Sequence, residues 1–339
     1  MRVLVVGQGL AGTLASHEGL KRGWDVHVID AGYPSASAVA AGMFNPMSFR
    51  RIVEVWQAEL HLAAMEQTYR ELEQLLGIRF MHHMPIHKVL PSAQYAEDWD
   101  AKAPSLRWLV PSTAQAAEAH RGTVEGGGWV NLPIMLHAWR QRLAAEGRFT
   151  QRTLSQDDTP GAMNSHWDVI IDCRGIALSL DPNLPALDLR KNRGELLSIR
   201  PDPTSAAHPP ENAIFNFGKW TIPVGPDEWR LGASYEWNRD DLLPTQDIRD
   251  TLLDTLRAQF DCPANFEVTR HDVGMRPVSR DRRPMVGSMP GKKDWYVFNG
   301  LGTRGVLIAP FWADRLMDII LGKVSESPET TPSRLLMNN

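Results

Sequence analysis

Six residues near the N-terminus, Gly7-Gln8-Gly9-Leu10-Ala11-Gly12, have the spacing G-x-G-x-x-G. Each glycine answers a separate need. Gly7 permits a tight turn, Gly9 lets backbone approach a pyrophosphate, and Gly12 lets a helix pack closely on a strand. The helix that opens there offers free N–H groups and a partial positive charge to phosphate oxygens. An acid, Asp30, follows about 20 residues on, where it can accept hydrogen bonds from ribose hydroxyls and repel a 2′-phosphate. The motif alone is weak, but strand, turn, helix and acid together predict a dinucleotide site.

Two further segments favour FAD over NAD. The run Ser35-Ala36-Ser37-Ala38-Val39-Ala40-Ala41-Gly42-Met43 is a strip of small side chains over which an extended cofactor could lie. The run Phe298-Asn299-Gly300-Leu301-Gly302-Thr303-Arg304-Gly305 is a second glycine loop opening a second helix. A helix N-terminus there could stabilise negative charge on the N1/O2 edge of a reduced flavin, a need that nicotinamide lacks.

These residues need a particular set of elements to hold them. Arg2 to Val6 reads as a buried parallel strand, Leu10 to Arg22 as a helix closed by Gly23, and Val26 to Ile29 as a second strand, which makes a βαβ unit. Helical spacing of apolar residues predicts a helix from Arg51 to Leu76 stopped by Gly77, and Asn131 caps another through Glu146. Arg79 to Leu90 and Val169 to Cys173 read as strands. Pro201 to Asn212 is a loop, and Ala213 to Pro223, Trp229 to Ser234 and Phe266 to Val273 suit an antiparallel sheet. Trp295 to Phe298 is a strand before the second glycine loop, Val306 to Leu321 is an amphipathic helix, and the polar tail from Ser325 is expected to fray. The fold class is α/β, with a discontinuous Rossmann-type FAD-binding domain (1–80, 130–190 and 270–325), a second, mostly antiparallel β substrate domain (81–129 and 191–269) and a tail (326–339).

The sequence resembles the D-amino-acid oxidase and glycine oxidase superfamily of flavoproteins. The resemblance runs from the N-terminal fingerprint through Ala40-Ala41-Gly42-Met43, Gly232-Ala233-Ser234, Gly274-Met275-Arg276-Pro277 with Asp281, Pro284 and Gly287, to Gly305-Val306-Leu307-Ile308-Ala309-Pro310. The loop Gly300 to Gly305 also resembles the oxidoreductase part of the bifunctional enzyme that matures wobble uridines in transfer RNA, a member of the same superfamily. The resemblance implies that Leu10, Ala11, Asp30, Ala31, Ala36, Ser37, Ala41, Gly42 and Met43 line FAD, with Gly302, Thr303, Arg304, Gly305 and Val306 at its flavin end. Gly175 sits where relatives have a small-small-glycine turn, although Arg174 departs from that pattern. Arg276 takes the position of the superfamily's carboxylate-binding arginine, and a charge-assisted pair there contributes roughly 1.5–3 kcal/mol. Trp220 stands where glycine oxidases carry a tyrosine, which keeps an aromatic wall but leaves only an N–H donor. Arg304 offers a second cation, or only its backbone to the flavin with its side chain in solvent.

The expected reaction is FAD-dependent oxidation of a small amine or amino acid at a CH–NH bond, with oxygen or another acceptor reoxidising the flavin. The alternatives are oxidation of a modified uridine side chain on transfer RNA and a flavin-binding regulator without turnover. With 339 residues, 43% apolar and 22% charged, and a net charge of -4, the composition is globular, fits two domains and argues against a nucleic-acid partner. No segment has the ~18 apolar residues of a membrane span. Cys173 and Cys262 stand in no metal or redox spacing, so the cytoplasm is the expected compartment. His82, His83 and His87 suggest a metal cluster, but on one strand His82 and His83 face opposite ways and His83 and His87 lie about 13 Å apart, so no metal is expected. Arg280, Arg282 and Arg283 could greet an anion or form a solvated loop. The twelve tryptophans receive no function from sequence.

Overall fold

A computed structural model describes residues 1–33, 35–114, 120–155, 158, 162–163, 165–260 and 262–337. Its first layer is a six-stranded sheet in the order Phe149–Gln151, Asp25–Asp30, Arg2–Val6, Val169–Asp172, Trp295–Asn299, Met285–Ser288. The first five strands run parallel, and the last is antiparallel. Val3 to Val6 are buried on both faces, which is why their pattern is a continuous apolar run rather than an alternation. The helix Leu10–Lys21 follows the first strand, and Gly23 turns the chain back with φ +73.

The second layer is an eight-stranded sheet in the order Phe266–Ser279, Leu189–Pro201, Glu228–Gly232, Trp220–Gly225, Ile214–Asn216, Ile86–Val89, His120–Val124, Leu109–Ala114. All its pairings are antiparallel except that of Ile214–Asn216 with Ile86–Val89. The mixed architecture expected from sequence is present. The strand Phe266–Ser279 runs further than expected, past Arg276, and so places that arginine inside the antiparallel sheet.

Helix Ala58–Leu76 packs with the C-terminal helix Gly305–Ile320, and the buried hydroxyl of Tyr69 donates to the Val306 carbonyl at 2.9 Å. The short helix Ala36–Val39 joins the layers: a Cβ at Gly274 would sit 2.4 Å from Val39 Cγ2. Gly274 therefore lets that helix lie against the antiparallel sheet two residues from Arg276.

Four sequence expectations need correction. The helix expected from Arg51 begins at Ala58, because Ile52 and Gln57 both take φ +50 and Val53–Glu54 forms a short strand. Arg79 to Leu90 is two strands, Met81–His83 and Ile86–Val89, which belong to different sheets. Ala213 to Pro223 is likewise two strands, reversed at Gly218 with φ +93. Finally, the tail is docked rather than frayed. Leu335 and Thr330 are buried, Val286 N–H donates to the Thr330 carbonyl at 2.9 Å, and Arg334 grips Asp281 at 2.7 and 3.1 Å. A few apolar anchors and one bidentate arginine outweigh the polar composition.

Candidate active site

The first glycine turn has the shape its residues foreshadowed. Gly7 takes φ +96, and a Cβ there would lie 2.8 Å from the Cys173 carbonyl oxygen. At Gly12 a Cβ would lie 1.8 Å from the Gly7 carbonyl oxygen, so helix and turn touch backbone to backbone. The helix starting at Leu10 has no acidic residue in its first turn, and its cap residue Gly9 offers no side chain. Its Leu10 N–H reaches the Ser37 hydroxyl at 3.1 Å. Ser37 thus carries the small-residue strip onto the helix start.

Asp30 ends its strand with both oxygens engaged, accepting from Gln8 N–H at 2.7 Å and Gly32 N–H at 2.8 Å. Two carboxylate oxygens have about four acceptor positions, so capacity for ribose hydroxyls remains. Arg140 approaches Asp30 at 3.4 Å and donates to the Gln8 side-chain oxygen at 2.7 Å. Sequence reasoning missed Arg140, which sits on the capped helix Leu132–Ala145 with no local motif to mark it.

Gly42, with φ +77, packs its backbone on Val130: the Val130 N–H donates to the Gly42 carbonyl at 3.0 Å, and a Cβ would meet the Val130 carbonyl at 1.9 Å. Ala41 is buried and Met43 half-buried beside it, while Ala31 and Ala36 are half-buried along the same path. Gly175 has φ +59, and its carbonyl accepts from the Asn299 amide at 2.9 Å. Arg174, the departure from the family pattern, turns away onto Asp172 at 2.6 Å and Asp181 at 2.9 Å. Cys173 is buried, and that burial pushes its thiol pKa up, so it is an inert core residue.

The two glycine-lined helix starts meet. Strands Arg2–Val6 and Trp295–Asn299 are separated by only one strand, and a Cβ at Gly305 would lie 3.2 Å from Leu10 Cδ2. Gly302 has φ +56 with nothing within 4 Å of a Cβ, so its backbone borders open space. Beyond it lies a cavity of about 290 Å³ whose walls include Gly302, Thr303, Arg304, Trp56 and Asn192. Val306 is buried behind this wall.

Arg276 is not itself among the residues lining the cavity; it lies on the sheet behind Asn192 and Tyr235, which do line it. Its Nη1 donates to Asn192 Oδ1 at 3.0 Å and the Ser234 carbonyl at 3.3 Å, and its guanidinium sits 4.8 Å from the centre of the Tyr235 ring. A Cβ at Gly194 would fall 2.2 Å from Nη1, so glycine there makes the room. No carboxylate pairs with Arg276 among the described residues. Burial lowers its pKa, with a smaller opposing pull from Tyr235. Burial also lowers the pKa of Arg304, and Arg282 and Arg283 lower it further. Arg304 lines the cavity and is exposed to solvent.

Trp220 stands on the same face of the sheet as Arg276, three strands over, with its ring packed on Gly232. It is not among the residues lining the cavity. The aromatic groups that do line it are Trp56, Tyr235 and Trp237, which sequence reasoning did not single out. His82, His83 and His87 have separate partners: His82 stacks on Trp129 at 4.5 Å, His83 pairs with Glu66 at 2.7 Å, and His87 lies in the other sheet. Among the described residues, His17, Glu18 and Glu71 bring ligand-type atoms within 4.8 Å of one another. Lys21 sits 2.6 Å from Glu71 and Arg22 holds Glu18, so protein cations already answer those charges.

A parallel sheet with a glycine turn and an acid ending its second strand, abutted by a second glycine-led helix start and joined to an antiparallel sheet, is the architecture of a two-layer flavin-dependent oxidoreductase. The chain belongs to the DAO family of FAD-dependent oxidoreductases, whose family model matches residues 2–319, and its cofactor is FAD. The residues fit that cofactor: backbone approaches backbone closely at Gly7 and Gly12, the helix start carries no acidic residue, and Gly302 borders open space.

Among curated proteins, the tRNA 5-methylaminomethyl-2-thiouridine biosynthesis bifunctional protein MnmC of Azoarcus sp. (strain BH72) is 25% identical over 95% of this chain. The chain spans 57% of that protein's length. Among solved structures, iminodiacetate oxidase from Chelativorans sp. BNC1 superposes with a TM-score of 0.80 at 17% identity, covering 98% of this chain and 100% of that one. Glycine oxidase from Geobacillus kaustophilus gives 0.77 at 18%, covering 100% and 99%. Among the described residues no helix is long and apolar enough to cross a membrane.

Proposed function

We propose that this protein oxidises a small amine or amino acid at a CH–NH bond. The observation that carries this reading is Arg276, a half-buried guanidinium with neutral hydrogen-bond partners and no paired carboxylate among the described residues, set directly behind Asn192 and Tyr235 of the cavity wall. A half-buried cation without an anionic partner carries part of its desolvation cost uncompensated, and an incoming carboxylate would relieve it with two charge-assisted hydrogen bonds.

When bound, FAD supplies a hydride acceptor that oxygen or another oxidant can regenerate. The protein's own contribution is placement and charge. Asn192 and Ser234 fix the rotation of the guanidinium, so a carboxylate docked on it presents its Cα in one orientation. The surrounding positive charge of Arg276, Arg282 and Arg304 disfavours an ammonium ion, and thereby holds the substrate amine in the neutral form whose lone pair can drive C–H cleavage. Trp56, Tyr235 and Trp237 give the cavity an aromatic wall. Two unpaired cysteines, one of them exposed, suit a reducing cytoplasm.

Replacing Arg276 with Lys keeps the charge but removes the planar fork, and KM for an amino acid should rise sharply. Unchanged kinetics would remove Arg276 from the site. A second reading, oxidation of a modified uridine on transfer RNA, is favoured by the identity with the bifunctional relative and by the cationic, aromatic cavity mouth. Binding of transfer RNA at physiological salt separates the two readings.

A further inference from the structure

Among the described residues the cavity is lined by three arginines, Arg282, Arg283 and Arg304, and by no aspartate or glutamate. Arg283 is engaged, 3.8 Å from the Trp56 ring centre and 3.7 Å from Glu329. Arg282 and Arg304 have no carboxylate within ion-pair distance among the described residues. The acids that could neutralise them are committed elsewhere. Asp281 is held by Arg334, Glu236 by Arg193 and Asp188 by Arg190. Arg282 is kept in this array by a left-handed backbone, φ +60, with its N–H bonded to the Ser279 carbonyl. Arg282 and Arg304 are exposed at the mouth of the cavity, where water screens part of the repulsion among the three guanidinium groups, and a single carboxylate on Arg276 would leave both without an anionic partner.

We propose that the cavity selects a dianionic amine, an amino acid or N-substituted glycine bearing a second carboxylate, with one carboxylate on Arg276 and the other between Arg282 and Arg304. The proposal rests on the amine-oxidation reading for its reaction, but not for its charge preference. A volume of about 290 Å³ lies at the small end of ligand sites, which suits such a molecule better than a nucleoside.

The test compares iminodiacetate with N-methylglycine, which share the reacting N–CH2 bond and differ by one carboxylate. Anaerobic flavin reduction by the holoprotein should favour iminodiacetate at least tenfold in rate over apparent Kd, the equivalent of one charge-assisted pair. In Arg282→Gln and Arg304→Gln that ratio should fall towards one, whereas Arg282→Lys should keep most of it. Equal rates for the two amines in the wild type, or a ratio indifferent to both glutamine variants, would overturn the proposal. If neither amine reduces the flavin, the amine-oxidation reading fails separately. Perturbation of the flavin spectrum by malonate and acetate still reports on charge preference: tighter malonate binding, lost in Arg282→Gln, supports the dianion site, and equal affinities overturn it. Unmodified transfer RNA that binds in competition with malonate, without any dicarboxylate preference over acetate, would also overturn it and assign the arginines to an RNA backbone.

Discussion

Adding one methyl group to the first glycine turn should uncouple FAD binding from general stability. In Gly12→Ala the new Cβ would lie 1.8 Å from the Gly7 carbonyl oxygen, where real contacts essentially never fall below 3.0 Å. The obstacle is backbone, so helix and turn must part by more than about 1 Å. Overpacking of that kind costs about 1–3 kcal/mol, and the strain falls on the helix-start N–H groups assigned to the pyrophosphate. At about 1.4 kcal/mol per tenfold, FAD affinity should drop by roughly 10- to 100-fold. Gly23→Ala is the control. Gly23 has φ +73 but nothing within 4 Å of a Cβ, so the substitution strains the backbone by about 1 kcal/mol without touching the turn. Apoprotein of each variant would be titrated with FAD by flavin fluorescence, alongside thermal melts. Gly12→Ala should lose affinity strongly, and Gly23→Ala should lose only stability. Equal FAD affinities in Gly12→Ala and the wild type would refute the assignment of this turn to the pyrophosphate.

His17 and His61 are buried, and desolvation holds both neutral with pKa near 4 rather than 6.5. The unfolded chain takes up these protons first, so their stabilising contribution is complete above pH 6.5 and disappears as pH falls towards 4. About 3 kcal/mol per histidine is at stake, and His61→Phe should flatten part of the acid limb in denaturant melts from pH 7 to 4. An acid limb identical to that of the wild type would contradict this. Deleting residues 330–339 removes the buried Leu335 and the Arg334–Asp281 pair. It should lower stability by about 2 kcal/mol or more, and an unchanged melting midpoint would show that the docking contributes nothing.

Much of the cofactor site was legible in sequence because its constraints are local. Gly7, Gly12 and Asp30 lie within one βαβ unit, and each answers to backbone geometry or a single hydrogen bond. The contact between the two helix starts was an expectation from two distant glycine runs, and the Leu10–Gly305 approach bears it out. The substrate cavity was less legible, because its parts converge only in three dimensions. Asn192 and Gly194 approach Arg276 from the neighbouring strand Leu189–Pro201, Ser234 and Tyr235 from the segment after Glu228–Gly232, and none carries a local signature. Arg282 and Arg283 read from sequence as a solvated loop or an anion site, and only the fold places them, exposed and half-buried respectively, at the cavity. The helix expected from Arg51 shows the converse: apolar spacing persisted through Ile52 and Val55, while left-handed backbone at Ile52 and Gln57 broke the helix. Trp220 was drawn by analogy of position, and the three-strand offset from Arg276 separates it from the cavity wall.

The most direct test of this account is anaerobic mixing of the purified yellow protein with a panel of small amines and amino acids, followed at the flavin absorbance maximum. At least one amine bearing a carboxylate should bleach the flavin, and Arg276→Met should slow that bleaching by tenfold or more. A flavin that stays oxidised with every member of the panel would contradict the assignment of amine oxidation to this cavity.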